Sequence, residues 1–178
     1  MGSLKHEIRQ ERPFSSVEEE TLLNVLRTAD CLQRTFQQKS RDWGVTSTQY
    51  NVLRILRGAH PQGLTCTQIG DRMITADPDI TRLLARLKAL KLIRQQRDRN
   101  DRRVTWTQIS DQGLELLSKM DPEIQRAPRD LLGHIGERDL AELIRLLELA
   151  RKHCGDGRTA VSCNGDNDSD RVSCGERI

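Results

Sequence analysis

The sequence predicts a mainly α-helical protein that carries one small β-hairpin. Apolar residues recur at helical spacing over most of the chain, and the clearest such face consists of Ile80, Leu83, Leu84, Leu87 and Leu90. Residues 92–109 differ, because β-branched and aromatic residues alternate with polar ones there, next to the turn-forming segment RDRNDR. A basic hairpin that directly follows two closely spaced helices is the layout of a winged helix-turn-helix, and this is the fold class that we expect.

The composition indicates an aliphatic core beneath a charged surface. Of the 178 residues, 35% are hydrophobic, 31% are charged and only 3% are aromatic. The formal net charge is only +3, so the protein is not basic over its whole surface. Five arginines between residues 94 and 103 instead concentrate positive charge in the hairpin, which predicts a polyanionic partner at that place.

Several classes of protein are disfavoured. No run of eighteen apolar residues is present, and the N-terminus lacks the apolar region of a secretory signal. We therefore expect a cytoplasmic protein with reduced cysteines and no membrane partner. The four histidines are scattered, no phosphate-binding glycine loop occurs, and the cysteine spacings fit no closed metal motif. We expect no enzymatic activity, no cofactor and no metal.

Capping signals and composition divide the chain into four parts. Residues 1–15 predict a flexible arm, and residues 46–109 predict the winged helix-turn-helix domain. Residues 16–45 and 110–154 predict a helical dimerisation domain, whose first helix is capped by Ser15 or Ser16 and ends near Gly44. Residues 155–178 are rich in Gly, Asp and Ser and predict a disordered tail.

Local signals place the elements of the predicted DNA-binding region. Thr65 is expected to cap a short helix, and Leu64 is expected to pair with the hairpin. The next helix is predicted over Pro78–Lys91 with Asp77 as its N-cap, since proline is well accommodated at the first helical position. Asp79, on the same helix, is expected to cap it or to orient Arg82.

The helices that follow the hairpin are predicted from further capping and periodicity signals. Ser110 is expected to cap a helix that extends to about Leu132. Pro122 and Pro128 should strain or break this helix, because proline removes a backbone hydrogen bond and clashes with the preceding turn. A last, strongly apolar helix is predicted from Glu137 to about residue 153.

The first and last helices carry apolar stripes that residues 46–109 do not need for their own core. Packing against the same helices of a second copy would bury these stripes, because the same surface patch of each subunit forms both sides of a two-fold interface. The alternative is that the two helices pack only on each other within a monomer. The predicted dimerisation residues are Leu22, Val25, Leu26, Ala29, Leu140, Leu143, Ile144 and Leu147.

The polar face of the predicted helix at 78–91 is suited to contact double-stranded DNA. Thr81 and Arg82 lie near its N-terminal end, where a recognition helix meets base edges. Arg offers a bidentate fork for guanine, and Thr hydrogen bonds to a base or touches a thymine methyl group. Arg86, one turn later, is expected to contact a phosphate. The alternative is an ordinary solvated helix face.

The hairpin and the preceding short helix supply further candidate contacts. Arg102 is the candidate for the minor groove, and Arg97 and Arg99 are candidates for phosphate contacts. Asp101 and Arg103 are expected to form an ion pair that fixes the wing. The helix start at Thr65, Thr67 and Gln68 could hold a phosphate, although Thr65 could equally be only a cap.

Four segments resemble those of MarR-type (multiple antibiotic resistance regulator) transcription factors. They are TSTQYNVLRIL, LTCTQIGDRM, DITRLLARLKALKLI and DRNDRRVTWTQISDQG, within a likeness that runs from about Glu18 to Lys152. The departures are Pro122, Pro128 and the tail. The resemblance implies a homodimer that binds a palindromic operator, usually as a repressor. It also implies release by a small aromatic ligand or by cysteine oxidation, for which Cys31 and Cys66 are weak candidates.

The rival hypothesis is a winged helix that serves as a protein–protein interaction scaffold without specific DNA binding. Binding of duplex DNA that weakens with salt separates the two hypotheses, because release of counterions accompanies neutralisation of phosphates.

Overall fold

The computed structural model describes residues 4–75, 77 and 79–153, which fall into two compact units. The first unit comprises the described residues up to Asn51 together with Glu115–His153, and the second comprises Val52–Leu114. The sequence placed these boundaries after residues 45 and 109. The structure places them within helices, because a capping signal marks where a helix begins and not where a packed unit begins. The predicted tail, residues 155–178, lies outside the described residues.

The first unit is helical throughout its regular elements. Its helices are α1 (Leu4–Glu7), α2 (Val17–Arg41), the start of α3 (Ser47–Gly58), most of α6 (Asp111–Leu132) and α7 (Glu137–Arg151), with a short 3-10 turn before α7. Ser16 Oγ accepts the Glu19 N–H at 3.1 Å, which confirms Ser16 as the cap of α2. Gly44 has a φ of 76° and donates to the Arg41 carbonyl at 2.9 Å, as expected for a left-handed helix end.

Two features of the first unit bear on the sequence predictions. The arm was predicted to be flexible; its described part contains a helical turn over residues 4–7, in which Leu4 is buried and Glu7 pairs with Arg27 at 3.8 Å. Helix α6 was expected to be strained or broken, but it continues through Pro122 and Pro128. Both prolines lie on its exposed face, where a carbonyl that loses its partner can turn towards solvent. The buried face consists of Leu117, Met120, Ile124 and Ala127.

The second unit contains the rest of α3, α4 (Cys66–Arg72), α5 (Ile80–Ala89) and a two-stranded antiparallel sheet. Strand β1 (Ile93–Arg97) pairs with β2 (Thr105–Ile109), with Ile93 opposite Ile109 and Arg97 opposite Thr105. Leu64 forms the predicted single bridge, to Thr107. The core includes the fully buried side chains Val52, Leu53, Leu56, Ile69 and Leu87.

Helix α5 is shorter than predicted. Asp79, and not Asp77, is its N-cap, while the Asp77 carboxylate accepts the Asp79 N–H at 2.9 Å in the turn before it. Pro78 lies outside the described residues. At the other end the chain turns at Lys91, which has a φ of 59°, and Leu92 donates to the Leu87 carbonyl at 3.1 Å. The helix therefore ends before Leu90, which is exposed instead of buried.

Ser110 joins the hairpin to α6. Its hydroxyl donates to the Lys91 carbonyl at 2.7 Å and accepts the Gly113 N–H at 3.1 Å, which confirms the predicted cap. A Cβ atom at Gly113 would lie 2.7 Å from Ile109 Cγ1 and would also collide with the Leu92 carbonyl oxygen. Only glycine therefore allows α6 to start this close to the base of the hairpin.

Among the described residues, none of the helices combines the length and the hydrophobicity that a membrane span requires.

Candidate nucleic-acid interface

Helix α5 presents to solvent the side chains that the sequence assigned to DNA. Thr81, Arg82 and Arg86 are all exposed. Asp79 Oδ1 accepts the Arg82 backbone N–H at 3.0 Å, so Asp79 is the N-cap of the helix. This is the first of the two roles predicted for it, capping the helix or orienting Arg82. The opposite face of the helix anchors it in the core through Ile80, Leu83, Leu84 and Leu87.

The start of α4 is occupied by a capping box. Thr65 Oγ1 accepts the Gln68 N–H at 3.3 Å, and Gln68 Oε1 accepts the Thr65 N–H at 3.0 Å. Two backbone donors that could have met a phosphate are therefore already satisfied within the chain. Thr67 is exposed beside them. Of the two roles weighed for Thr65, the structure displays the cap.

The tip of the hairpin, residues 98–104, is organised by Asp98. Its Oδ1 accepts the backbone N–H groups of Asn100 at 2.7 Å and Asp101 at 3.1 Å, and its Oδ2 accepts the indole N–H of Trp106 at 2.8 Å. These hydrogen bonds, that from Trp106 above all, lower the pKa of Asp98 below its usual value, because they favour the charged form. Asp98 therefore remains ionised at neutral pH.

Asp101 structures the wing differently from the prediction. The expected ion pair with Arg103 is absent among the described residues. The Asp101 carboxylate instead accepts the backbone N–H of Arg103 at 2.9 Å. This short-range bond closes a turn, since aspartate commonly accepts an N–H two residues further along the chain. The Arg103 guanidinium is exposed and is not used by that contact.

Among the described residues, the arginines assigned to DNA form no ion pairs. Arg94, at the base of the hairpin, pairs with Asp111 at 3.0 Å. In the part of the chain that the structure describes, no carboxylate is within ion-pair distance of Arg82, Arg86, Arg97, Arg99 or Arg102. All five side chains are exposed. The second unit thus presents, on α5 and on the wing, exposed arginines without acidic partners among the described residues, an arrangement suited to phosphate and guanine.

Comparison with known proteins identifies the family. Residues 43–104 match the sequence model of the MarR family. The crystal structure of a MarR transcription factor from Planctomyces limnophilus is 37% identical in sequence, covers 77% of this chain and 99% of its own chain, and has a TM-score of 0.60. The chain belongs to the MarR family. It is therefore a member of a family of transcriptional regulators and not of a family of enzymes, as predicted.

Two further relatives agree with membership of the MarR family. The HTH-type transcriptional regulator PecS of Dickeya dadantii (strain 3937) is 26% identical over 153 residues, which cover 84% of this chain and 92% of that protein. Sco3205, a MarR family transcriptional regulator from Streptomyces coelicolor, was solved in complex with DNA; it is 18% identical, covers 85% of this chain and 97% of its own, and has a TM-score of 0.72. The Sco3205 likeness concerns the fold, and it agrees with the predicted winged helix-turn-helix.

The first unit of this MarR protein exposes two apolar stripes. Leu22, Val25 and Leu26 on α2, and Leu143 and Ile144 on α7, are each between 39% and 58% exposed. Ala29 is also exposed, whereas Leu140 and Leu147 are half-buried. Both stripes have the spacing i, i+3, i+4, i+7, which places their members on one face of a helix. A single chain therefore leaves most of the predicted dimerisation residues in contact with water.

Two of the cysteines, Cys31 and Cys66, lie among the described residues. Cys31 is exposed on α2, and Cys66 is partly buried at the first position of α4. No cluster of three metal-ligating side chains occurs over the same part of the chain. Cys154, Cys163 and Cys174 lie outside the described residues.

Asp98 is the residue of the interface that the sequence reasoning missed. Its position before a turn was a usable signal, because Asp commonly accepts backbone N–H groups two or three residues later. Its bond to Trp106 depends on how the two strands are paired, with Trp106 opposite Gln96. That register is fixed by packing of the hairpin and not by the local sequence of the tip.

Proposed function

We propose that this MarR family member is a homodimeric repressor that binds a palindromic operator in double-stranded DNA. The observation that carries the proposal is the set of exposed arginines on α5 and on the wing that form no ion pair among the described residues. A winged helix with such charge on both of its DNA-facing elements is suited to read base edges with one and groove shape with the other.

Helix α5 is assigned to the major groove. Its buried face fixes the helix, so that Thr81 and Arg82 are displayed from a rigid element close to its capped start. Arg82 would form two hydrogen bonds with guanine, and Thr81 would contact a neighbouring base or methyl group. Arg86 lies one turn further and would reach a phosphate. Thr65, Thr67 and Gln68, at the start of α4, would lie close to the phosphate backbone of the DNA.

The wing is assigned to the minor groove and its rims. Arg102 at the tip would insert into a narrow, electronegative groove, while Arg97 and Arg99 would contact phosphates. Asp98 and Asp101 hold the turns of the tip through backbone N–H groups, and so keep their carboxylates occupied within the protein.

The dimer is assigned to the apolar stripes of α2 and α7. Two copies related by a two-fold axis would bury both stripes and would place two recognition helices at symmetric half-sites. We also propose release by a small aromatic ligand or by oxidation, as the resemblance to the family implies. Such an effector would act only through different affinities for the DNA-bound and the free forms. Cys31 is exposed and so accessible to an oxidant.

The proposal is tested by selecting, from a pool of random-sequence DNA duplexes, those that bind the 178-residue chain. We expect enrichment of an inverted repeat whose half-site centres are separated by about one helical turn or a multiple of it. A footprint on DNA that flanks the protein's own gene should then cover such a repeat. A pool that remains random after several rounds would favour the protein–protein scaffold.

A further inference from the structure

A contact between Asp98 and Trp106 joins the tip of the wing to strand β2, and the assigned DNA contacts do not use it. The two residues are joined by the 2.8 Å hydrogen bond from the indole N–H to Asp98 Oδ2. The other oxygen of the same carboxylate accepts the N–H groups of Asn100 and Asp101. One side chain thus ties the turn to a ring on β2.

We propose that the Asp98–Trp106 contact holds the tip of the wing in one conformation, the one in which Arg99 and Arg102 contact DNA. The inference rests on the proposed function, since it concerns how DNA is read. Four arginines lie within residues 97–103 and repel one another. A tip without a fixed shape would have to be ordered upon binding, and the entropy lost in that ordering would reduce the affinity.

The two carboxylate oxygens of Asp98 have different partners, and this difference distinguishes positioning of the wing from ordinary turn formation. The turn needs only Oδ1, which accepts both backbone N–H groups. Oδ2 reaches the side chain of Trp106, eight residues further along the chain on strand β2. Trp106 is only half-buried, whereas its strand neighbour Thr107 is buried in the core. The hydrogen bond of the indole therefore serves the wing and not the core.

Neutralising Asp98 should change the affinity for DNA in opposite directions, depending on whether its charge or its positioning of the wing matters more. The carboxylate belongs to a cationic element that is assigned to a polyanion. If charge alone mattered, neutralising Asp98 would strengthen DNA binding and steepen its dependence on salt. If Asp98 positions the wing, the same change weakens binding. The sign of the effect therefore decides between the two.

Asp98→Asn and Trp106→Phe break the contact from either side. Asparagine keeps an oxygen for the turn but places an amide NH₂ group against the indole N–H, and phenylalanine keeps a ring but removes the donor. Each variant should bind the duplex selected by the wild-type protein roughly threefold to tenfold more weakly, as expected for loss of one hydrogen bond to a charged group at the surface. The double variant should be no weaker than the weaker single variant, because both changes remove one interaction.

Asp111→Asn is the matched control. It makes the same change of charge near the base of the hairpin, where the exposed Asp111 carboxylate pairs with Arg94 at 3.0 Å and takes no part in the contacts of the tip. The affinity of this variant for the selected duplex should equal or exceed that of the wild-type protein. All variants should keep the wild-type melting temperature within about two degrees, because the groups changed lie outside the core.

A second measurement needs no DNA. In a Trp43→Phe background Trp106 is the only tryptophan, and its indole N–H gives one resonance in a heteronuclear NMR spectrum. Exchange of this proton with solvent should be slow in that background and at least several-fold faster after Asp98→Asn, while the backbone N–H groups of β1 and β2 stay protected. Unchanged exchange overturns the proposal, as does an Asp98→Asn variant that binds the selected duplex as tightly as the wild-type protein. If the wild-type protein binds no duplex, the proposed function fails and the exchange measurement alone decides whether the contact fixes the wing.

Discussion

Arg82 and Arg102 carry the same charge on elements of very different construction. Arg82 lies in the first turn of a helix whose opposite face is buried in the core. Arg102 lies in the exposed connection between two five-residue strands. A side chain held by a rigid helix can impose the geometry of a bidentate hydrogen bond, whereas one on a surface turn adapts to the local groove. The two arginines should therefore contribute to DNA binding in different ways.

Replacing Arg82 by alanine should reduce sequence discrimination. We expect the selected duplex to be bound more weakly by roughly 1–3 kcal/mol, and a random duplex of equal length to be affected much less, because a bidentate contact to guanine is lost. Fluorescence anisotropy titrations with both duplexes measure this difference. The melting temperature should not change, since the side chain is exposed.

Replacing Arg102 by alanine should weaken both duplexes to a similar extent. We also expect the slope of log affinity against log salt to fall by about one unit per subunit, and so by about two units for the proposed dimer, because each subunit displaces one fewer phosphate-associated cation. The same titrations, repeated over a salt series, measure this slope. The opposite pattern, in which Arg102→Ala selectively loses the operator and Arg82→Ala loses all DNA equally, would reverse the assignment of helix and wing.

At the scale of elements, the sequence predicts what local chemistry determines. The caps at Ser16, Thr65 and Ser110 and the pairing of Leu64 with the hairpin were all predictable, because each depends on a few neighbouring residues or on a simple alternation. The start of α5 was misplaced because two aspartates, two residues apart, both offer a capping carboxylate, and only the three-dimensional path of the chain selects Asp79.

Other features could not be predicted because they depend on tertiary packing. Whether α6 survives two prolines depends on which face of the helix they occupy, and the packed structure places both on the exposed side. The contact of Asp98 with Trp106 depends on strand register. The exposed face of α5 that is assigned to DNA, by contrast, follows from the helical period once the buried face is known, so that the exposure of Thr81, Arg82 and Arg86 was predictable.

The joint between the hairpin and α6 should tolerate no side chain at Gly113. Gly113→Ala should destabilise the protein by about 1–3 kcal/mol, because the new methyl group meets the Leu92 carbonyl and the Ile109 side chain and neither moves cheaply. Thermal unfolding measures this loss. Gly58→Ala, at the end of α3, is the matched control: its methyl group would meet nothing within 4 Å, so the melting temperature should stay the same or rise. Equal melting temperatures for both variants would contradict the assigned packing of the joint.

At the scale of the whole molecule, the exposed stripes of α2 and α7 should hold two chains together. A double variant, Leu26→Arg with Ile144→Arg, should sediment as a monomer at micromolar concentration, because it places buried charge in an apolar interface. Val17→Arg is the control, since Val17 is also exposed but lies outside the stripe, at the first turn of α2. A wild-type protein that sediments only as a monomer would refute the dimer, and a dimeric double variant would show that the interface lies elsewhere.

We propose that the chain recognises DNA by sequence while deriving much of its affinity from phosphate charge. The most direct test is the dissociation constant of the wild-type protein for the selected duplex and for a scrambled duplex of identical composition, over a series of salt concentrations. We expect both affinities to fall steeply with salt, and the selected duplex to be bound at least about a thousandfold more tightly near physiological salt. Equal affinities for the two duplexes, or binding that ignores salt, would contradict the claim.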